Sequence, residues 1–240
     1  MGRAHEVRKA AMAKTAAAKT KVYSKFGKEI LIAAKGGVPD PEMNLILRRV
    51  IERAKKAQVP ADIIKRAIDR AKSGTSEDYS AQTYEAFGPG AATLIIECLT
   101  DNVNRTVSDV RSALTKNQCK MGVTGSVSHG YDYVSIVSCK GVSEDQVLEV
   151  LLMADLNIKS VESVDDEVEI YGEATDLYNI KTALEEAYPD IQIGTEELSY
   201  VPINEEYTSL EGDDRMYFER LLTMLEELDD VQEVYHNVEL

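Results

Sequence analysis

The chain has 240 residues, 44% of them hydrophobic and 29% charged, with a formal net charge of −15 and a pI near 4.7. That length holds one to three domains with a real core, and no apolar run approaches the roughly 20 residues that span a bilayer. The net charge hides a division: Met1–Thr75 carries 18 Lys and Arg against 7 Asp and Glu, a net of +11, whereas Ser76–Leu240 carries 9 against 35, a net of −26.

Such a division points to nucleic-acid or membrane contact by the basic part. The acidic remainder would repel the same polyanion, so binding is expected at one end. Met1–Thr20 has bases and alanines but no continuous apolar stretch, and is not expected to be a secretory signal. Cys98, Cys119 and Cys139 are widely spaced, without a C-x-x-C pair, and the three histidines are scattered. This reads as isolated thiols in a reducing compartment rather than a disulfide framework or metal site, and the protein is expected to be cytoplasmic.

In chain order, Met1 to Lys19 is rich in Ala and Lys, with high helix propensity but few large apolar residues, and should fray without a partner. Val22–Lys35 is predicted helical, with Val22, Phe26, Ile30 and Ala33 on one face and Gly36-Gly37 as its end. Pro41–Gln58 is predicted as the second helix, with Asp40 as N-cap and Pro41 at the first helical position. Pro60–Lys72 is the third, closed by Gly74. Three short helices with one apolar face each make a small bundle.

Ser73–Ser80 is a polar linker where the charge changes sign. Beyond it, strands are predicted at Ala92–Cys98, Ser126–Val127, Tyr133–Ser138, Glu167–Gly172, Glu197–Ile203 and Val231–Val238. Helices are predicted at Asn104–Lys116, Ser143–Ala154, Asp176–Ala187 and Asp213–Leu228. Thr106/Asp109 and Ser143/Gln146 have the spacing of capping boxes. This alternation suggests two α/β units of the split βαβ kind within 76–240.

The turn Phe87-Gly88-Pro89-Gly90 precedes a strand, not a helix, so it reads as a tight turn rather than a phosphate cradle. Leu99 to Thr106 is a polar loop entering a helix. Local hydrogen bonds account for most of it, and a functional account would set Arg105 and the helix N-terminus against an anion. Acidic pairs such as Asp165/Asp166 and Glu205/Glu206 have no partnered His, and Ser126, Ser128 and His129 form no nucleophile elbow. The basic segment stands above this background. Its bases line helical faces, with Tyr23 and Phe26 among them; Tyr23 would stack on an unpaired base, and Phe26 belongs to the bundle core. The residues fit phosphate contact better than base readout.

Several strings together resemble the YebC/YeeN family, which includes a mitochondrial relative that activates translation of cytochrome oxidase subunit I. They are Pro39-Asp40-Pro41-Glu42 with Asn44, Ile51-Glu52-Arg53-Ala54-Lys55 through Val59-Pro60, and Ile63-Ile64-Lys65-Arg66-Ala67-Ile68. Tyr84 to Gly90, Leu99 to Thr106, Gly125-Ser126-Val127 and Asp229 to Val238 complete the pattern. The chain departs from it in two places. It opens Met-Gly-Arg-Ala-His-Glu rather than with a Gly-His-Ser-Lys-Trp type of sequence, and it has Gln118-Cys119-Lys120 where members usually carry a Gly-Gly-Asn turn.

The resemblance implies a helical N-terminal domain followed by two α/β domains, one inserted in the other. The expected fold is therefore α+β and multidomain. A basic helical domain with a flexible arm covers 1–75, an α/β domain is built from 76–132 plus 203–240, and an inserted acidic α/β domain covers 133–202, both α/β parts being split βαβ and ferredoxin-like. The expected function is non-enzymatic: a nucleic-acid-binding regulator of gene expression, read as a DNA-binding transcriptional regulator. The alternative is a translation factor bound to the ribosome or ribosomal RNA. Expected nucleic-acid contacts are Arg3, Arg8, Lys9, Lys14, Lys19, Lys21, Tyr23, Lys25, Lys28, Arg48, Arg49, Arg53, Lys55, Lys56, Lys65, Arg66, Arg70 and Arg105. Protein partners are expected through the acidic domains; no cofactor, metal, membrane or small-molecule substrate is expected.

Overall fold

The structure, a computed structural model, describes the backbone of residues 3–74, 78–164, 166–203 and 206–239, with side chains from Lys19 onward within those ranges. Two units emerge: Met1–Tyr84 with Ile96–Asn117 and Glu219–Val234, and Glu85–Ile95 with Gln118–Phe218 and Tyr235–Leu240.

The first unit opens with helix α1, Arg3–Lys35. It starts well before the Val22 at which apolar periodicity begins. The residues before Val22 are Ala- and Lys-rich with no Pro or Gly after Gly2, so propensity alone carries the helix through them. It ends at the glycine pair, where the Gly36 amide donates to the Ile32 carbonyl at 2.8 Å.

Helix α2 spans Leu45–Lys56, four residues later than the sequence predicts at its start. Asp40 closes a turn of its own instead, accepting from the Glu42 amide at 3.0 Å. The N-cap is Asn44, whose Oδ1 accepts from the Leu47 amide at 3.0 Å. Its Nδ2 donates to the carbonyls of Ala33 and Val38, so one buried amide ties the end of α1 to the start of α2. Helix α3, Ala61–Ser73, follows Pro60 and ends at Gly74 with φ +66°.

These helices bury Ile30, Ala34, Leu47, Ile51, Ala54, Val59, Ile64 and Ala67 together, with Tyr23 and Phe26 half-buried against them. Each large aliphatic side chain in such a core contributes about 1.5–3 kcal/mol, which a short helix needs because it is marginal alone.

Strands β1, Ser80–Phe87, and β2, Thr93–Thr100, follow, then helix α4, Val103–Lys116, and the short β3, Lys120–Met121. With β9, Val231–His236, they form a sheet of order β3-β1-β2-β9. The N-cap of α4 is Asn102, accepting from the Arg105 amide, and not the predicted Thr106, which lies inside the helix. The predicted strand at Ser126–Val127 is a bend.

The second unit holds a complete β-α-β-β-α-β motif. Its elements are β4 (Tyr131–Lys140), α5 (Glu144–Met153), β5 (Ile158–Val164), β6 (Glu167–Glu173), α6 (Leu177–Ala187) and β7 (Gln192–Pro202). The strands are ordered β5-β6-β4-β7 and all three pairings are antiparallel, the ferredoxin-like arrangement. Its core joins Val137, Cys139, Val168 and Ile170 of the strands to Val147, Leu151, Leu177, Ile180 and Leu184 of the helices. The predicted Ser143/Gln146 capping box is present with both hydrogen bonds. The chain finishes with β8 (Thr208–Ser209), α7 (Gly212–Glu226), β9, and β10 (Val238–Glu239), which pairs in parallel with β8. The fold is α+β, a helical segment followed by α/β structure. No helix among the described residues is long and apolar enough to cross a membrane.

Candidate nucleic-acid interface

The basic residues of the first unit separate into exposed ones and ones engaged within the protein. The side chains of Arg3, Arg8, Lys9 and Lys14 lie outside the described residues. On α3, Lys65, Arg66 and Arg70 are exposed, as is Lys72 near its end. Arg66 also pairs with Asp62 one turn earlier at 2.5 Å, both side chains 70% exposed, a contact worth a few tenths of a kcal/mol that a phosphate can displace (about 0.3–0.5 kcal/mol). Lys55 and Lys56 near the end of α2 and Lys19 on α1 are exposed too.

Elsewhere on α2 the bases hold structure. Arg48 donates to the carbonyls of Pro41 and Glu42 at 3.0 and 2.8 Å, clasping the turn before its own helix. Arg53 pairs with Glu29 of α1 at 3.4 Å and lies over the Phe26 ring. Burial raises the Glu29 carboxyl, and Arg53 opposes that shift. Arg49 is half-buried.

On α1, Lys21, Lys25 and Lys28 meet the segment that leads into β9. Lys25 donates to the Gln232 carbonyl and lies 3.7 Å from Glu233. Lys28 donates to the Leu99 and Asp229 carbonyls and to Asp230 Oδ1. The Lys21 ammonium is buried with no hydrogen-bond partner among the described residues. Burial and the neighbouring Lys25 lower its pKa, against the pull of Glu226, Asp229 and Glu227. Tyr23 is half-buried against the bundle core.

Arg105 is also engaged. Its guanidinium donates to Asp230 Oδ2 at 3.2 and 2.7 Å and to Asp101 at 2.8 Å. Asp230 is the centre of this node: the Thr100 and Thr106 hydroxyls lie 3.1 and 2.8 Å from Oδ2, and Lys28 lies 3.1 Å from Oδ1. Burial alone would raise the Asp230 carboxyl, but hydrogen bonds from Arg105, Thr106 and Lys28 outweigh it and hold the pKa below the ordinary value. Sequence reasoning missed Asp230, whose only signal was an acid in a recognisable closing string. The string Leu99–Thr106 is thus organised around a carboxylate, not an external anion.

A comparable knot occurs in the second unit. Glu85, buried in β1, accepts from the amides of Gly125, Val127 and Ser128. Burial favours its neutral form, yet these three amides keep its pKa lowered. Ser126 lies on the same carboxylate at 3.5 Å, and His129 Nδ1 sits 3.3 Å from the Gly125 carbonyl. The three thiols are buried; burial pushes Cys98 up to about 12 and Cys119 and Cys139 to about 11, so none is an activated nucleophile.

The chain is similar to known proteins over nearly its whole length. Residues 3–74 match the model of the TACO1/YebC protein N-terminal domain, and residues 79–238 that of the TACO1/YebC second and third domain. A probable transcriptional regulatory protein of Alteromonas mediterranea is 50% identical over 237 residues, covering 99% of this chain and 98% of the relative. One of Vibrio cholerae is 48% identical over all 240 residues, covering both chains fully. The crystal structure of a conserved hypothetical protein from Aquifex aeolicus superposes with a TM-score of 0.76 at 33% identity, covering 92% of this chain and 90% of that one. Matched from its basic helices to its closing strand, the chain belongs to the TACO1/YebC family.

Proposed function

We propose that the protein is a non-enzymatic, cytoplasmic regulator of gene expression that binds DNA through its basic helical segment. The observation that carries this reading is the run of exposed cations Lys65, Arg66 and Arg70 on α3, in a segment of net +11 within a chain of net −15. The names of the relatives, probable transcriptional regulatory proteins, support a regulatory role. Lys55 and Lys56 extend the cationic surface, and Lys19, with Arg3, Arg8, Lys9 and Lys14, would add contacts along α1. Lys25, Lys28, Arg48, Arg53 and Arg105 instead make contacts within the unit, and the Lys21 ammonium is buried. Phosphate contact of this kind gives affinity without base readout.

Ribosomal RNA is the second reading. It is favoured by Tyr23 and Tyr79, half-buried rings among the bases, because unpaired bases stack on aromatic rings.

The test is a titration of the full chain against a random-sequence DNA duplex over a salt series, with sedimentation against ribosomes in parallel. Replacing Lys65, Arg66 and Arg70 by Gln is expected to flatten the salt slope by roughly 2–3, at about 0.9 for each phosphate that is no longer neutralised. An unchanged slope would remove α3 from the interface. Absence of duplex binding, together with salt-sensitive co-sedimentation, would replace DNA by the ribosome as partner.

A further inference from the structure

A cavity of about 470 Å³ opens between α1 and α3 in the first unit, within the roughly 300–1,000 Å³ typical of small-ligand sites. Its lining includes Tyr23, Gly27 and Lys28 of α1, Arg66 and Arg70 of α3, and Tyr79 just before β1; among the described residues no acid lines it. An adjoining cavity of about 520 Å³ shares Lys28 and Tyr79 but is walled by Asp101, Asp109, Glu227, Asp229 and Asp230. Two neighbouring hollows of opposite sign direct an anionic ligand to the first.

Gly27 gives independent support. A glycine inside a helix costs about 0.5–1 kcal/mol relative to alanine. At Gly37 a Cβ would lie 2.8 Å from Asn44 Nδ2, so a neighbour demands the glycine; at Gly27 a Cβ would meet nothing within 4 Å. Among the described residues no packing contact explains the glycine, and its effect is to widen the cavity that it lines.

We propose that this cavity seats one unpaired nucleotide of a bound strand, its base against Tyr23 and Tyr79 and its phosphate on Arg66 and Arg70. The proposal rests on the reading of α3 as a phosphate-contacting helix and deepens it, because it names the form of nucleic acid. A paired base has both faces covered in the stack and must leave the duplex to enter such a seat. Rings supply sequence-tolerant stacking and the arginines supply charge, the combination that holds single strands. Lys28, whose ammonium lies 5.5 Å from the Tyr79 ring centroid, holds that ring beside the cavity.

The experiment uses the full chain with three probes: an unstructured single-stranded oligonucleotide (RNA and DNA), a duplex of equal length, and free adenosine monophosphate. Gly27→Met fills the cavity while raising helix propensity, and Tyr79→Leu removes a ring without changing charge; thermal melts establish that both fold. The expected result is a preference of the unmodified chain for single strand, and a roughly tenfold loss of single-strand affinity in each variant with duplex affinity unchanged, the size expected of one missing stack. Single-strand affinity unaffected by both substitutions, while the α3 neutralisations still weaken binding, would overturn the seat and leave the phosphate-contact reading intact. No affinity for any nucleic acid would overturn both. Saturable adenosine monophosphate binding that Gly27→Met abolishes, without a preference for single strand, would assign the cavity to a free nucleotide and overturn the strand.

Discussion

Asp230 shows how a single side chain decides which bases remain available. It gathers Lys28, Arg105, Thr100 and Thr106 around one carboxylate, whereas sequence reasoning assigns Lys28 and Arg105 to nucleic acid and the two threonines to local hydrogen bonds of the loop and helix start. Charge and helical position singled out the bases; they did not reveal that a partner far along the chain engages two of them, because nothing local encodes such a pairing. Gln118 is a second residue whose cost is legible only in the backbone. It sits at φ +59°, in the left-handed region, where the family pattern usually has glycine. A side chain with a Cβ is disfavoured there by about 1–2 kcal/mol, partly offset in a glycine variant by greater freedom of the unfolded chain. Gln118→Gly is expected to stabilise the protein by about 1 kcal/mol, a rise of about 2–4 °C in the melting midpoint, and Gln118→Ala to give no such gain. A calorimetric melt of both variants checks this; equal midpoints for the two would show that the strain is not there.

At the scale of elements, strong periodicity was legible and weak periodicity was not. Helices α2, α3 and α5 repeat apolar residues at helical spacing and were read within a few residues, the largest error being the start of α2, where Asn44 competes with Asp40 as cap. Strand β1 went unread because Ser80–Phe87 has only Tyr84 and Phe87 as large apolar residues, at a spacing that does not alternate; it is a strand because its neighbours in the sheet pair with it. Strand β5 has only Ile158, Val161 and Val164 as apolar residues, at spacing three, which obscures a period of two. The Ser126–Val127 segment was read as a strand, but the Ser126 amide closes a turn on the Val123 carbonyl and the Val127 amide serves Glu85. This last arrangement makes a prediction about an element. Glu85→Gln keeps shape but replaces one carboxylate oxygen by a donor that faces amides, so a buried hydrogen bond becomes a clash of donors at about 1–3 kcal/mol. The expected outcome is faster amide hydrogen exchange confined to Gly125, Val127 and Ser128, with helices α5 and α6 keeping wild-type protection. Unchanged exchange at those amides would mean that the loop stands without the carboxylate.

Over the whole molecule, the division of charge works in two directions. The excess of bases in the first 75 residues is partly neutralised from within, by acids at Glu226, Glu227, Asp229, Asp230 and Glu233 gathered around Lys21, Lys25 and Lys28. What stays exposed on α2 and α3 is the part that an external polyanion can meet. The same neutralisation should make folding sensitive to acid. Asp230 and Glu85 both have carboxyls held below their ordinary pKa in the folded state. A group of that kind binds protons more readily when unfolded, so its contribution is fully present above the unfolded value of about 4 and is lost as pH falls through the lower folded value. Protonation would also leave Lys21 and its neighbour Lys25 with fewer counterions, adding repulsion where the acids had supplied attraction. Stability measured by urea unfolding should therefore begin to decline below about pH 6.5, where burial holds the His236 imidazole below its ordinary pKa, and fall further below about 4 as the carboxylates protonate. Asp230→Asn should lower stability near pH 7 by about 3 kcal/mol, the cost of leaving the buried Lys28 ammonium without its carboxylate, and should lose less than the parent on acidification because the titrating group is gone. A variant that is destabilised at neutral pH yet falls just as far in acid would place the acid sensitivity in other carboxylates, with Glu85→Gln as the next variant to be measured across the same range.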